Sequence, residues 1–282
     1  MWSALILAVI VGTWNGEWFP SGRAEHRANP EVEAATIREA GKMLRAGIDA
    51  FDPEGKEGVI LCLNEVRGPR VAGELAKATG LTNLQVAVVT GYRRRDRFDY
   101  QQDVILTTLP VVTTSWSRWK SAKAETPPRG YAQADLVFAP AVTARVYAVH
   151  LKSNYGATGK PAVAAANRAK RTRAVEQLVE QERVKRGHPP RPLVICGDFN
   201  TDKWREEFKD ERVFTILEEA GYTNLVAALP PAERATHPNK RWGDSVLDYI
   251  FLRGLKSEGL PKILPNDALS DHRAVFSRVK IW

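Results

Sequence analysis

The feature that most constrains the fold is a short apolar run that ends on two polar side chains. Residues 193–197 read Leu-Val-Ile-Cys-Gly, a pattern typical of a strand buried on both faces. The run ends at Asp198, and Asn200 follows two residues later. Side chains two apart on an extended chain project to the same side, so we expect both from the end of one core strand. A buried, unpaired carboxylate is unfavourable there, and a bound cation would remove the difficulty. The alternative is a polar turn, because Asp and Asn are common turn residues.

The size and charge of the chain limit its organisation. It has 282 residues, 44% of them hydrophobic, which is enough for one large core. No repeat and no long polar linker divides the sequence, so we predict a single domain over 1–282. The formal net charge of +8 favours an anionic partner. The alternative is that the charge serves solubility alone.

Neither the cysteines nor the start of the chain indicates a disulfide or a targeting segment. Cys62 and Cys196 each lie in an apolar run, where a free cysteine acts as a small hydrophobe. The apolar residues 4–11 are too few to span a bilayer and lack a basic flank, so we interpret them as the first strand. We expect a soluble monomer without a membrane-spanning segment, cytoplasmic, or secreted if a signal peptide was removed upstream.

Buried strands alternate with helices along the sequence. The apolar pattern predicts strands at 59–63, 84–89, 135–138, 145–151, 193–198, 246–252 and 274–279, and a hairpin-like pair at 104–107 and 111–114 about Pro110. Helices are predicted from Pro30, at 69–80, at 162–186 and at 204–220, with a polar loop at 15–29 and a basic loop at 91–100. This alternation predicts a mixed α/β sandwich with helices outside the sheets.

Polar residues follow or interrupt these strands at several points. They are Asn15, Glu65, His150, the pair Asp198 and Asn200, Asp248, and the pair Asp271 and His272. Each alone has an ordinary interpretation as a solvated turn residue, a core histidine or a partner for an arginine.

The order and context of these residues resemble the endonuclease/exonuclease/phosphatase superfamily, which includes deoxyribonuclease I-like enzymes. Six stretches carry the resemblance over residues 5–280. They are Thr13-Trp14-Asn15-Gly16-Glu17-Trp18-Phe19, Leu63-Asn64-Glu65-Val66, Val149-His150-Leu151-Lys152-Ser153, Gly197-Asp198-Phe199-Asn200, Leu247-Asp248-Tyr249-Ile250-Phe251 and Ser270-Asp271-His272. The resemblance implies a four-layer α/β sandwich, with two packed mixed β-sheets flanked by helices.

The resemblance also implies roles that suit the chemistry of phosphodiester cleavage. Glu65, with Asn15 and Asp271, would hold Mg²⁺ or Mn²⁺, with Ca²⁺ as a further alternative. The implied catalytic residues are His272 as general base, Asp248 to orient its ring, Asp198 and Asn200 to position water and phosphate, and His150 to donate to a phosphate oxygen.

One departure within the superfamily concerns His150. The apurinic-site endonucleases carry a tyrosine there, whereas the deoxyribonuclease, sphingomyelinase and phosphatase branches carry a histidine, so abasic-site repair is disfavoured. In the deoxyribonuclease branch a glutamate supports this histidine. The nearest counterpart here is Gln101-Gln102-Asp103, without a decision among the three.

The basic segments favour nucleic acid as the substrate. Arg93, Arg94 and Arg95 form one segment, Arg118 to Lys123 a second and Lys160 to Arg186 a third, and Trp116 and Trp119 offer faces for bases. We add Lys152 and Asn154 as substrate contacts. The prediction is a metal-dependent, DNase-like nuclease acting on DNA. The alternatives are a phosphodiesterase or phosphatase for a phospholipid head group or small phosphoester, and a non-catalytic nucleic-acid-binding module.

Overall fold

Two β-sheets with helices on their outer faces make up the fold. The computed structural model describes residues 8–22, 29–94, 97–98, 101–121, 125–184, 191–241, 243–265 and 268–281. The strands are β1 (Val9–Phe19), β2 (Gly58–Val66), β3 (Gln85–Val89), β4 (Arg93–Arg94), β5 (Arg97–Phe98), β6 (Gln102–Thr107), β7 (Val111–Arg118), β8 (Gly130–Ala139), β9 (Val142–His150), β10 (Leu193–Asp198), β11 (Thr223–Asn224), β12 (Asp248–Arg253), β13 (Lys256–Ser257), β14 (Lys262–Leu264) and β15 (Ala274–Lys280). The α-helices are α1 (Pro30–Asp49), α2 (Pro69–Ala78), α3 (Pro161–Val184) and α4 (Val213–Glu219), and short 3₁₀ turns lie at Glu206–Phe208, Val226–Ala228 and Pro231–Glu233.

The first sheet brings the carboxyl ends of its central strands together. Its order is β13-β15-β1-β2-β6-β3, and β14 pairs with β15 beside β13. β1 and β2 run parallel, whereas β15 runs antiparallel to β1, so the loop that enters β15 lies at the end where β1 and β2 finish.

The second sheet places three predicted site residues side by side. Its order is β11-β12-β10-β9-β8-β7. β9 and β10 are parallel and β12 is antiparallel to β10, and Asp198 pairs in register with His150 on one side and Asp248 on the other.

Alternation along each strand divides the apolar residues between two cores. Val9 and Val11 of β1 face the core between the sheets, whereas Ile10 and Trp14 face the helices outside the first sheet. Asn29 caps α1: its side-chain oxygen accepts a hydrogen bond from the Val32 backbone nitrogen at 2.9 Å. Pro30 occupies the first turn of the helix. The sandwich of two mixed sheets flanked by helices is therefore confirmed, as is the buried stripe Ile37, Ala40, Leu44 and Ile48.

The start of the chain differs from the prediction. We predicted a strand at 4–11 and a loop from Asn15, but β1 continues to Phe19. Residues 4–7 lie outside the described part. Asn15 still pairs with Asn64 of β2, and the pairing becomes irregular only beyond it. The polar character of this segment reflects side chains that face the site, and it does not mark a loop.

The predicted pairing of 104–107 with 111–114 is wrong. β6 lies between β2 and β3 in the first sheet, whereas β7 pairs with β8 at the edge of the second. The residues around Pro110 therefore cross from one sheet to the other. The short separation suggested a hairpin, but the fully buried β6 is stabilised by two neighbours in its own sheet.

Two further segments differ from the prediction: residues 204–220 are less helical, and residues 91–100 contain a pair of short strands. The predicted helix at 204–220 is confined to α4 and one 3₁₀ turn, because the Asp202 carboxylate accepts from the Trp204 and Val246 backbone nitrogens and holds the preceding chain in a turn. The predicted basic loop at 91–100 contains the short pair β4 and β5.

Two further observations concern the cysteines and the helices. Cys62 and Cys196 are buried free thiols in β2 and β10. In the described part of the chain, no helix has the length and apolar character needed to cross a membrane.

A substitution at Gly197 tests whether β10 approaches β9 as closely as the structure shows. Its φ of +143° is unfavourable for other residues, and an added Cβ would lie 1.9 Å from the Val149 carbonyl oxygen. We expect Gly197→Ala to lower the free energy of unfolding by more than about 3 kcal/mol in urea titrations, through backbone strain and the clash. The matched control is Gly73→Ala in helix α2, where an added Cβ would meet no neighbouring atom within 4 Å. This variant should instead raise the free energy of unfolding by about 0.4–1 kcal/mol. Equal stability of Gly197→Ala and wild type would contradict this packing.

Candidate active site

The polar residues from both sheets meet at one end of the sandwich. In the second sheet, the register aligns His150, Asp198 and Asp248, which are at most 2% exposed. From the first sheet, the Nδ2 of Asn15 donates to the Oδ2 of Asp198 at 2.9 Å. The site is therefore assembled from residues far apart in the chain, across the gap between the sheets.

The second link between the sheets is the loop before β15. The Ser270 hydroxyl donates to the Asn15 carbonyl at 2.7 Å and accepts from the His272 backbone nitrogen at 3.0 Å. The indole of Trp14 donates to the His272 carbonyl at 3.2 Å. These bonds place Asp271 and His272 against β1, in front of the second sheet.

His272 and Asp248 form a buried pair. The Nδ1 of His272 lies 2.8 Å from the Oδ2 of Asp248, and the Nε2 faces the Oδ2 of Asp198 at 3.8 Å. Burial lowers the pKa of His272, but the charges of Asp248 and Asp198 outweigh burial and raise it to about 10. The pair fixes the ring orientation and stabilises the imidazolium, as in hydrolases that use a histidine with a carboxylate.

Asp198 is the most heavily bonded carboxylate of the site. Besides Asn15, it accepts from the Nδ2 and the backbone nitrogen of Asn200, each at 2.8 Å. Its own backbone nitrogen donates to the Oδ1 of Asn64 at 3.0 Å. Burial raises the pKa of Asp198 to about 6 against the opposing His272 charge, and the charge of Asp248 adds to the increase. Asp198 and Asn200 thus lie on the same side, as the sequence predicted.

His150 lies between two carboxylates. Its Nε2 is 3.6 Å from the Oε1 of Glu65 and 3.5 Å from the Oδ2 of Asp198. Burial lowers the pKa of His150 well below its ordinary value, and the charges of Arg129 and His272 act in the same direction. The Nε2 thus faces acceptor oxygens at the cleft, and a proton on this nitrogen could be donated to an oxyanion there.

None of the three candidate supports of His150 occupies the predicted role. Within the described residues, the Nδ1 of His150 has no hydrogen-bond partner. Gln102 binds Thr90 and the Tyr92 backbone, and the carboxylate of Asp103 binds Asn64. The carboxamide oxygen of Gln101 accepts from Arg129, whose Nε donates to the His150 carbonyl at 3.2 Å. The support here acts on the backbone and not on the ring.

The carboxylates of Glu17, Glu65 and Asp271 lie near one another and are candidates to hold a divalent cation. The Oε2 of Glu17 accepts from the Asp271 backbone nitrogen at 3.2 Å. Burial raises the pKa of Glu17, and the charges of Asp271 and Glu65 raise it further. A hard cation such as Mg²⁺ prefers carboxylate oxygens and would relieve this repulsion, so the residues fit it.

Asn15 stands beside this group as a donor. Its Nδ2 faces the Oε1 of Glu65 at 3.4 Å, whereas its Oδ1 accepts from the Glu17 backbone nitrogen at 3.0 Å. In this arrangement Asn15 anchors the carboxylates, and its role as a cation ligand stays a prediction. A second set of donors, Asp198, Asp248 and His272, has ligand atoms within 4.8 Å of one another.

Backbone strain is concentrated at the same place. Glu17, Trp18, Glu65 and Asn200 have positive φ values of 47°, 61°, 60° and 51°. Each such residue costs about 1–3 kcal/mol and persists where the surroundings determine its conformation. Here the Trp18 nitrogen donates to the Oε2 of Glu65 at 3.2 Å, so the strained residues hold one another around the carboxylates.

The site opens into a cleft of about 910 Å³ with basic side chains on its wall. Lys152, Asn154, Arg129 and Arg205 are among the lining residues, as are the candidate catalytic residues His150, Asp198, Asn200 and His272. The buried Asp198 makes the floor acidic, whereas the walls carry basic side chains together with carboxylates such as Glu207. An anionic substrate could lie along the basic side chains while its reacting centre meets the floor.

The other predicted substrate contacts lie apart from the cleft lining. Arg93 and Arg118 are exposed and adjacent, since the Nη2 of Arg118 lies 3.4 Å from the Arg93 carbonyl. Arg94 belongs to β4, and Arg95 lies outside the described residues. Trp116 is 42% exposed, but Trp119 is only 5% exposed because it packs against Tyr131 in the core. The predicted stacking role of Trp119 is therefore wrong.

A sequence model of the endonuclease/exonuclease/phosphatase family matches residues 12–272. The chain belongs to this family. The family is one of phosphoester hydrolases, generally dependent on divalent metals, and the acidic and histidine donors described above form a candidate metal site in this member.

Solved structures of similar fold agree with this assignment. A family protein from Leptotrichia buccalis has a TM-score of 0.64 at 12% identity, over 97% of this chain and 100% of its own. A humanised TDP2 from D. rerio gives 0.63 at 12%, over 97% and 99%. The human nocturnin catalytic domain, which holds a sulfate anion, gives 0.62 at 16%, over 99% and 96%. At these identities the likeness shows the fold alone. No curated protein sequence matches the chain.

Several residues of this family site were missed in the sequence. Glu17 follows Asn15 by two residues within a quoted stretch and could have been found there. Asn64 likewise lies beside Glu65 within one of the six stretches. His237 and Arg129 approach the site only through the fold, and no local pattern marks them. Arg171 looked like one more charge on an arginine-rich helix, although it is fully buried.

Arg171 fixes the loop that carries Lys152 and Asn154. Its Nη1 donates to the Lys152 carbonyl at 2.6 Å and to the Oδ1 of Asn154 at 3.1 Å. The same guanidinium forms a two-fold ion pair with the carboxylate of Glu211. One buried cation thus joins α3, this loop and the chain before α4.

Loss of this cation should be costly. Arg171→Met leaves Glu211 buried without a partner, and we expect the free energy of unfolding to fall by about 3–5 kcal/mol in urea titrations. The matched Arg173→Met, on the same helix with an exposed partner in Glu176, should change it by less than about 1 kcal/mol. Adding Glu211→Met to Arg171→Met should recover part of the loss. Similar losses in the two single variants would contradict the assigned role.

Proposed function

We propose that this family member hydrolyses phosphodiester bonds with the help of a divalent cation, and that its substrate is DNA. The observation that carries the proposal is the His272–Asp248 pair, which faces Asp198 at the floor of a cleft with acidic and basic walls. A cation at Glu65 and Asp271 would supply charge stabilisation for the phosphate oxygens.

The side chains of the chain itself divide the work of hydrolysis. His272 takes a proton from the attacking water, and Asp248 holds the ring and stabilises the resulting imidazolium. Asp198 and Asn200 position the water and the phosphate. The Nε2–H of His150 donates to a phosphate oxygen and stabilises the charge that develops there.

The acidic floor also bears on the general base. Burial lowers the pKa of His272, but the charges of Asp248 and Asp198 raise it, and this works against the neutral ring that a general base needs. A cation that offsets part of that charge would favour the neutral ring. Dependence on a cation is therefore expected from the base as well as from the phosphate.

A nucleic acid is supported by the basic groups inside and beyond the cleft. Arg129, Lys152 and Arg205 line the wall next to the reacting centre. Beyond them, exposed Arg118 lies over the ring of Tyr92, and Trp116 packs edge-on against the same ring. A polymer that leaves the cleft could meet both phosphate-binding and stacking groups there, which a small phosphoester would not use.

A substrate panel tests the proposal. We expect plasmid and linear DNA to be cleaved with Mg²⁺ or Mn²⁺ and not in excess chelator, and Glu65→Gln to need more Mg²⁺ for the same rate. Full turnover in excess chelator would overturn metal dependence. Hydrolysis of bis-p-nitrophenyl phosphate without cleavage of DNA or RNA would assign a small phosphoester, and DNA binding without any hydrolysis would assign a non-catalytic module.

The pairing of Asp248 with His272 is tested by a double-mutant cycle. Asp248→Asn and His272→Ala should each lower turnover by at least about 100-fold. The double mutant should be little worse than His272→Ala alone, because residues that act as a unit are strongly non-additive. The measurement is kcat for the four proteins on one substrate. Losses that multiply in the double mutant would show that Asp248 does not act through His272.

A further inference from the structure

His237, which the hydrolytic mechanism does not use, lies beside two residues of the site. Its Nε2 is 3.5 Å from the Oδ2 of Asp271, and its ring packs edge-on against the ring of His272 with centroids 4.8 Å apart. One ligand atom from each of His237, Asp271 and His272 lies within 4.8 Å of the other two. Two imidazoles and one carboxylate thus converge at the wall of the cleft.

We propose that His237, Asp271 and His272 form a binding site for a transition-metal dication of the Zn²⁺ class. Two nitrogens and one oxygen suit zinc, which takes three protein ligands and leaves a fourth position open. Donor atoms around tetrahedral zinc lie about 3.3 Å apart. Oxygens of Asp271 lie 3.5 Å from the Nε2 of His237 and 3.8 Å from the Nε2 of His272, which is close to this spacing.

The surroundings hold the two imidazoles ready for a metal. Asp248 accepts from the Nδ1 of His272, which leaves the Nε2 to face the cleft, and a carboxylate on the second ring nitrogen is typical of zinc-bound histidine. His237 is fixed through its backbone, which exchanges hydrogen bonds of 2.9 and 3.0 Å with Ser245. Only modest side-chain movement is required for binding.

The donor set separates this site from the oxygen-rich group at Glu65. Mg²⁺ prefers carboxylate and water oxygens, whereas imidazole favours Zn²⁺, so excess Mg²⁺ should not displace zinc. Zinc at this position would occupy the Nε2 of His272 and draw Asp271 away from Glu17 and Glu65. If the proposed hydrolytic function is right, zinc is therefore an inhibitor that binds the general base directly.

Zinc binding can be measured without any substrate. We expect calorimetric titration of wild type with Zn²⁺ in excess Mg²⁺ to give one site. His237→Gln and His237→Ala should lower the zinc affinity at least tenfold. Loss of a residue that only hydrogen-bonds to a metal ligand already lowers metal affinity 10- to 100-fold, and His237 is a proposed ligand itself. Asn239→Ala, on the same cleft wall, is the matched control and should bind as wild type. Circular dichroism checks that each variant is folded.

The inhibition is a separate outcome. In Mg²⁺, the concentration of Zn²⁺ that halves each protein's own zinc-free rate should be at least tenfold higher for His237→Gln than for wild type. Equal zinc affinity in wild type and both His237 variants would overturn the site and leave the 3.5 Å approach as a simple side-chain contact. A protein that binds zinc through His237 but hydrolyses nothing would retain this site and reject the hydrolytic function.

Discussion

The hydrogen bond from Asn15 to Asp198 joins the two sheets where the chemistry of the fold is concentrated. It spans 183 positions in the sequence and is 2.9 Å long. A second bond, from the Asp198 backbone to Asn64, ties the same residue to β2. The buried Asp198 carboxylate is tolerated because donors from both sheets converge on it. The same hydrogen bonds therefore fix both the relative position of the sheets and the geometry of the site.

Register makes that convergence possible. With β9 and β10 parallel and β12 antiparallel, His150 and Asp248 flank Asp198 at one level. A shift of one residue in either pairing would turn a neighbour to the opposite face of the sheet. Gly197 contributes because only a residue without a Cβ lets β10 approach the Val149 carbonyl. The outer network through Arg171 then fixes the loop of Lys152 and Asn154 beside this site.

The parts of the site that were predictable are those with a local signature. The end of the run 193–197 indicated Asp198 and Asn200, and the six ordered stretches indicated the remaining candidate catalytic residues. The buried stripe of α1 followed from its 3.6-residue period. Contacts that depend on packing left no such signal. Arg171 has the same composition context as its exposed neighbours, His237 lies in a loop without periodicity, and Trp119 resembles Trp116 although only one is exposed. The failed hairpin about Pro110 has the same cause, because sheet membership is decided by distant strands.

The most direct test of the account is the origin of the oxygen in the product. DNA is incubated with wild type and with His272→Ala in Mg²⁺ and H₂¹⁸O, and the terminal phosphates are analysed by mass spectrometry. Hydrolysis by His272 predicts one solvent oxygen per phosphate from wild type, formed at a rate that falls at least about 100-fold in the variant. Labelled product released equally fast by His272→Ala, or no labelled product from wild type, would contradict hydrolysis by this site.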